Sequence, residues 1–291
     1  MTVLIVGDVI DDIVVRPSSP TVVDSDTVSH ITRSPGGSGA NQAAWLGSLG
    51  TPVRFVGRVG RADVERHHAA LTSFGVQPIL IPDDEAPTGA IVIVLGERGE
   101  RNMYTDRGAN ARLSAADLPL SVLDDIELLH VNGYALFSED ARQAMLRLIA
   151  ESRRRGVQIT VDPCSAAFLP EAARFLDWTE GAAVCFPNLD EAAVLTGRAD
   201  ADAAARALAA HYPIVVLKLG ARGVVVARRG ETPVRLAAHT SDVKDTTGAG
   251  DALCAGFLAA RLRGQDPIEA AAAGLRAAAA AVSIAGGRPS A

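Results

Sequence analysis

The sequence predicts a three-layer α/β fold, with a mostly parallel central sheet flanked by helices and a small β-sheet lid. Three observations carry this. Short apolar runs alternate with helical patterns along most of the 291 residues, the rhythm of βαβ units around a parallel sheet. Two regions break that rhythm: Ile13–Arg16, and the pair Thr88–Leu95 and Arg101–Tyr104. Two glycine-rich segments, at 35–43 and 245–251, each open directly into a helix. No internal repeat, linker or low-complexity segment divides the chain. A single domain over 1–291, with lid strands inserted at about 11–35 and 88–107, is the simplest organisation.

In order, Thr2–Val6 is an apolar run ending in Gly7-Asp8, a buried strand whose carboxyl end opens into a loop. Ligands of doubly wound sheets sit outside such ends. Asp8, Asp11 and Asp12 crowd this loop. Carboxylates there can grip hydroxyl groups; a solvated acidic turn is the plainer reading, and the favoured one for Asp8 and Asp11. The segment Pro35-Gly36-Gly37-Ser38-Gly39-Ala40-Asn41-Gln42-Ala43 precedes a helix over Ala40–Leu49. It lacks the last glycine of a dinucleotide fingerprint, and no Gly-x-x-x-x-Gly-Lys-[Ser/Thr] occurs anywhere. What remains is close backbone approach to a ligand, with Asn41 supplying an orienting amide.

Val53–Val59 reads as a strand, Ala62–Phe74 as its helix and Ile79–Ile81 as a short strand. Thr88–Leu95 and Arg101–Tyr104 flank Gly96-Glu97-Arg98-Gly99-Glu100, a hairpin pattern. With Ile13–Arg16 it suggests an accessory sheet, serving as an active-site cover or as an edge between two subunits. Leu128–Asn132, Gln158–Asp162, Val184–Phe186 and Ile214–Lys218 then read as strands. Asp140–Arg155, Ala166–Leu176, Leu189–Leu195 and Ala201–His211 read as helices between them. Gly223–Ala227 and Val234–Leu236 form a further hairpin. The last helix, Ile268–Ile284, carries small residues on nearly every face, which permits close packing against a flat ring or another helix.

The chemistry centres on Asp245-Thr246-Thr247-Gly248-Ala249-Gly250-Asp251, followed by a helical run from Ala252 to Arg263. Glycines let backbone N–H groups turn toward one point, and the first N–H groups of a helix lack internal partners. With the helix dipole these form an anion site suited to phosphate. Asp251, in the first turn, is expected to be ionised by the dipole and ready to accept a proton. An anion hole beside a carboxylate base is what phosphoryl transfer to a hydroxyl needs.

Composition narrows the alternatives. Aromatic residues make up only 4% of the chain, so Val, Leu, Ile and Ala must fill the core. A net charge of −6 without a basic tract argues against nucleic acid as a partner. Cys164, Cys185 and Cys254 are odd in number and far apart in apolar surroundings, reading as small buried residues of a reducing compartment. The adjacent His67 and His68 and the lack of any His-x-x-x-His pair argue against a protein-held zinc ion. No signal peptide or membrane span is evident, so a soluble cytoplasmic protein is expected.

The two glycine-rich motifs, Gly-Gly-x-Gly-Ala-Asn-Gln-Ala and Asp-Thr-Thr-Gly-Ala-Gly-Asp, in this order and at this separation, resemble those of the ribokinase-like (PfkB) carbohydrate kinases. Thr88-Gly89, Gly108-Ala109-Asn110, Pro187-Asn188-Leu189-Asp190-Glu191 and Leu217-Lys218-Leu219-Gly220 fall where that family has comparable segments, so the resemblance covers essentially the whole chain. It implies an ATP-dependent kinase with Asp251 as catalytic base and Gly248, Ala249 and Gly250 as the anion hole. Gly37, Gly39 and Asn41 match the sugar-contacting stretch, and Asp12 the carboxylate that binds acceptor hydroxyls. Asn188 and Glu191 match an element that organises Mg2+ and phosphate through water; capping of the following helix is the alternative reading of both. Lys218, Gly220 and Gly223 match the nucleotide-binding loop. Asp245 and Thr247, with Gly287-Arg288-Pro289-Ser290, match a monovalent-cation (K+) loop.

Ser38 stands where ribokinases proper carry lysine and Ile10 where they carry asparagine, and His130-Val131-Asn132-Gly133-Tyr134 lacks the acid expected near a ribose site. These departures point away from ribose. The resemblance thus implies phosphorylation of a primary hydroxyl of a small sugar, with a nucleoside as the alternative acceptor. A non-catalytic sugar-binding regulator is the alternative from another class. The accessory strands leave a homodimer through the lid as one option, and charge and composition argue against a nucleic-acid or membrane partner.

Overall fold

The first strand, β1 (Val3–Val6), is buried along its whole length. Leu4 and Val6 enter one hydrophobic core, Val3 and Ile5 the other, as a strand covered on both faces must do. The computed structural model describes residues 1–96, 101–169 and 172–290. From β1 the chain leaves the main sheet as β2 (Ile10–Pro17) and β3 (Ser29–Gly36). It returns through α1 (Ser38–Ser48), β4 (Val53–Gly60), α2 (Val64–Thr72) and β5 (Val76–Asp83). A second excursion forms β6 (Thr88–Leu95) and β7 (Arg101–Gly108). Then follow β8 (Leu128–Asn132), α3 (Glu139–Arg155), β9 (Gln158–Asp162), α4 (Ala172–Trp178), β10 (Val184–Cys185), α5 (Leu189–Thr196) and α6 (Ala201–Leu208). The chain finishes through β11 (Ile214–Lys218), β12 (Val224–Arg228), β13 (Val234–Leu236), α7 (Ala249–Leu262) and α8 (Pro267–Val282).

The main sheet has the order β13-β12-β11-β10-β9-β8-β1-β4-β5. All neighbours are parallel except β12 and β13, which extend one edge as antiparallel strands. Leu46 of α1, Leu71 of α2 and Phe257 of α7 pack on one face; Met145 of α3, Phe175 of α4 and Leu208 of α6 pack on the other. The expected three layers are therefore present. A separate sheet of order β3-β2-β6-β7 is the lid. The small faces of the last helix serve close packing against α7: a methyl group built on Gly256 would lie 2.9 Å from Gly274 Cα.

Several local expectations change. Ile79–Ile81 is the middle of an eight-residue strand, β5, which includes Gln77 and Pro78. It is the outer strand of the sheet, where one flank pairs with no strand among the described residues and proline is tolerated. The helix read over Ala166–Leu176 is a 3₁₀ turn at Ala166–Phe168 and the separate α4; Leu169 between them precedes a proline, which disfavours helical backbone. The strand β3 was not visible as apolar alternation because four of its eight residues face solvent. The turn read within Gly96-Glu97-Arg98-Gly99-Glu100 falls largely on residues outside those described.

Asp8 and Asp11 do not form a solvated turn; both are buried. Asp8 Oδ1 accepts the N–H of Gly39 at 3.0 Å and its carbonyl that of Ala40 at 3.1 Å, anchoring the start of α1. Asp11 accepts from Arg66 at 2.7 and 2.8 Å and from Arg33, tying β2 to α2 and β3. Burial works against its charge, yet the two guanidinium groups hold its pKa below the usual value.

Candidate active site

Parallel topology brings the carboxyl ends of the central strands to one crevice, and the last residues of three strands are polar: Asn132 of β8, Asp162 of β9 and Lys218 of β11. Lys218 Nζ donates to both oxygens of Asp162, at 3.0 and 2.9 Å. The same carboxylate accepts from Gln42 Nε2 at 3.1 Å, Cys254 Sγ at 3.3 Å and the Cys164 N–H at 3.3 Å. Burial opposes the Lys218 charge, but the Asp162 carboxylate outweighs it and raises the ammonium pKa above its ordinary range. Asp162, Gln42, Asn132 and Ser38 were not expected as site residues. An acid ending the strand Gln158–Asp162 was the available signal. Of the cysteines, Cys185 and Cys254 are buried as expected, but Cys254 and the half-buried Cys164 sit among polar groups at this crevice where apolar surroundings were expected.

Asp251 lies in the first turn of α7, as expected, with Gly248 capping the helix at φ +73°. The Ala249 N–H reaches Thr246 O at 3.4 Å and the Ala252 N–H bonds Gly248 O at 2.8 Å. Between them, the N–H groups of Gly250 and Asp251 meet no acceptor among the described residues. A methyl group built on Gly250 would find only Lys218 Cδ and Nζ, each at 3.7 Å. Two free amides and an ammonium group thus face one small open volume, which fits a phosphoryl group. Asp251 Oδ1 accepts from Ser38 Oγ at 2.7 Å and Oδ2 from Asn41 Nδ2 at 3.2 Å.

The expectation that the dipole keeps Asp251 ionised is corrected. Burial at the crevice floor raises its pKa to about 8, with Asp162 adding to the rise; Ser38, Asn41 and Lys218 pull the other way. A helix dipole contributes about 0.3–1 kcal/mol, less than one pKa unit, and desolvation exceeds it.

A cavity of about 740 Å³ opens from this floor. Gly248, Ala249, Gly250 and Asp251 line its base, Lys218, Gly220 and Gly223 one wall, and Leu275, Ala278 and Val282 of α8 an apolar side. Asn188 and Glu191 stand on its rim and also cap α5. The Asn188 N–H and Nδ2 donate to the Glu191 carboxylate at 2.9 and 2.6 Å, and the Glu191 N–H returns to Asn188 Oδ1 at 2.8 Å. The capping reading is thus realised in full. Burial raises Glu191 to about 7, against the pull of Lys218. A carboxylate in that range, facing a cavity with a phosphate cradle, fits water-mediated magnesium.

Asp12, Gly37, Gly39 and Asn41 lie outside the lining of this cavity, and Asn41 connects them to Asp251. Asp12 is buried on β2 and has no hydrogen-bond donor among the described residues. Burial and the charge of Asp8 raise its pKa to about 6, with Arg288 opposing. Arg288 donates to Gly36 O at 2.9 Å and from Nε to Asn41 Oδ1 at 3.4 Å. Gly37 and Gly39 meet chain where ligand contact was expected: methyl groups built on them would lie 2.6 Å from Asp8 O and 2.8 Å from Gly7 Cα. Their lack of side chains lets α1 dock on the loop after β1. Asp245 Oδ1 accepts the N–H and Oγ1 of Thr247 at 2.9 and 2.7 Å, and Oδ2 the N–H of Gly286 at 3.1 Å. Both oxygens are committed within the chain, which fits a clamp between two loops better than a cation ligand.

This arrangement can be set beside known proteins. A family model described as pfkB family carbohydrate kinase matches residues 2–291. The chain belongs to the pfkB family of carbohydrate kinases. It is therefore a phosphotransferase acting on a hydroxyl group. It is 30% identical to a fructokinase of Escherichia coli over 238 residues, covering 77% of this chain and 76% of that protein. It is 29% identical to a ribokinase of Arabidopsis thaliana over 265 residues, covering 86% of this chain and 66% of that protein. Its fold is similar to that of an adenosine kinase from Sinorhizobium meliloti, with a TM-score of 0.88 and 26% identity over 99% of this chain and 95% of that one. The three-layer architecture with its lid is thus the ribokinase-like fold. Among the described residues no helix is long and apolar enough to cross a membrane.

Proposed function

We propose that this pfkB kinase transfers the terminal phosphoryl group of ATP to a primary hydroxyl of a small sugar. The observation that carries the reading is the pair of acceptor-free amides, Gly250 and Asp251, beside the Asp251 carboxylate at the base of the cavity. Asp251 takes the proton of the acceptor hydroxyl. The N–H groups at the start of α7 and the Lys218 ammonium face the transferring group and its growing charge. The apolar flank of α8 suits an adenine base, with Gly220 and Gly223 beside the phosphate chain. Asp12 and Asn41 hold acceptor hydroxyls. Glu191 and Asn188 would hold magnesium through water; when bound, that ion neutralises charge on the phosphate oxygens.

A nucleoside acceptor is a second reading, favoured by one aromatic residue in the cavity lining and two that pack behind it. Tyr134 lines the cavity and meets Phe137 edge-on at 5.4 Å, and Phe137 stacks on Phe168 at 4.9 Å. Exposed Ile31, Met103 and Tyr104 on the lid strands would suit pairing of two subunits there. Turnover of radiolabelled ATP with a panel of sugars and a panel of nucleosides tests these readings. Labelled sugar phosphate is expected. Label on nucleosides alone would replace the sugar reading, and binding of both ligands without transfer would replace catalysis by a regulatory role.

A further inference from the structure

A buried chain of side chains runs from Asp162 to Asp251, and each of its hydrogen bonds has its direction set. His130 is fully buried and held neutral by that burial, its pKa lowered to about 4. Its Nδ1 pairs with Thr160 Oγ1 at 2.8 Å and its Nε2 with Gln42 Oε1 at 3.2 Å. Gln42 Oε1 therefore accepts, and its Nε2 donates to Asp162. Asn132 Oδ1 accepts the Tyr134 N–H at 3.3 Å, which leaves its Nδ2 to donate to Gln42 Oε1 at 3.1 Å and to Ser38 Oγ at 2.9 Å. With its oxygen already accepting, the Ser38 hydroxyl has its hydrogen to give, and Asp251 Oδ1 at 2.7 Å takes it. Among the described residues the other polar neighbour of that hydroxyl is Cys164 Sγ at 3.9 Å, a weak partner.

We infer that Asp162, Gln42, Asn132 and Ser38 form a positioning relay that fixes the Ser38 hydroxyl as a donor to Asp251, and so favours the charged form of the base against burial and aims it at the acceptor. The inference rests on Asp251 as the base of the proposed reaction. A protonated Asp251 would itself have a hydrogen to place, and Ser38 Oγ would then face two donors; the relay favours the carboxylate. The other ionisable groups facing Asp251 are Asp162 and Lys218 across the crevice, Cys254 one turn along α7 and Tyr134 at the mouth. None of these changes when Ser38 is altered.

The test compares Ser38→Ala, Asn132→Ala, the double variant and Ser38→Thr with wild type. The Asp251 carboxyl is titrated by 13C NMR, its signal assigned by loss in Asp251→Asn, and turnover is measured with the acceptor that wild type uses. Removing a hydrogen bond to a charged group should raise the titration midpoint by about one pH unit and lower kcat by about 10- to 100-fold. KM for ATP should hardly move. Asn132 is fully buried and makes its effect through Ser38, so the double variant should lose little beyond either single one. Ser38→Thr, which keeps the hydroxyl, should recover most of the loss. An unchanged midpoint in Asn132→Ala, or losses confined to KM, would overturn the relay. Absence of turnover in wild type would sink the proposed function instead, while the titration would still judge the relay.

Discussion

Gly248 and Gly287 meet backbone to backbone, so closely that a methyl group built on Gly248 would lie 2.6 Å from Gly287 Cα. Gly248 also holds φ at +73°. Two residues later, Gly250 has helical backbone and open space beside it. Two glycines of one motif thus serve different ends. Gly248→Ala is expected to cost about 1–3 kcal/mol through clash and backbone strain, read as a fall in thermal unfolding temperature. Gly250→Ala should fold normally and melt near wild type. Its methyl group would stand in the volume proposed to receive the phosphoryl group, so kcat should fall at least ten-fold.

Asp251→Asn should leave the fold and ATP binding intact by calorimetry and reduce kcat by roughly 10²–10⁴, the usual worth of a general base. With a carboxyl pKa near 8 in the free protein, kcat/KM of wild type should climb with pH up to that value and level off. An acidic limb ending well below pH 7 would contradict the burial argument.

The same group links stability to pH. Its folded pKa lies above the unfolded value of 3.8, so the native state binds the extra proton between the two. Its contribution is present at low pH and is lost as pH rises through about 8. Asp251→Asn lacks this loss. At pH 9 it should melt several degrees above wild type, and the gap should narrow steadily as pH falls toward the unfolded value of 3.8; a constant difference across that range would reject the linkage.

Lys218 and Asp162 neutralise each other in a nearly buried pair. Lys218→Met strands the Asp162 carboxylate, at a cost of about 3–5 kcal/mol. Adding Asp162→Asn should recover part of that stability without recovering activity. Denaturant titration of the single and double variants measures the recovery.

Asp12 has no donor among the described residues, which leaves it open to the acceptor hydroxyl proposed for it. Asp12→Ala should raise the acceptor KM by about ten-fold or more and leave the KM for ATP in place. Equal acceptor KM values would remove Asp12 from the binding site.

The parts of the site that could be read in advance are those written within a few residues. Glycines followed by helical periodicity announce the start of α7, and Asn188 three residues ahead of Glu191 announces a capped helix. The relay could not be read that way. Asn132 bonds Gln42 across 90 positions and Gln42 bonds Asp162 across 120, and only the parallel order of β1, β8 and β9 brings them together. Gly37 and Gly39 show a further limit, since a glycine that yields to the chain's own backbone looks in sequence like one that yields to a ligand. The pKa of Asp251 was misjudged because a local dipole is legible in sequence and burial by distant segments is not.

Asp12 stands on the small sheet and Asp251 on the main body. If the acceptor bridges the two as proposed, it would tie the small sheet to the main body. An acceptor stripped of the hydroxyl that Asp12 grasps would leave the two untied, and water would compete for the nucleotide. Such truncated sugars should provoke wasteful ATP hydrolysis at the expense of sugar phosphate.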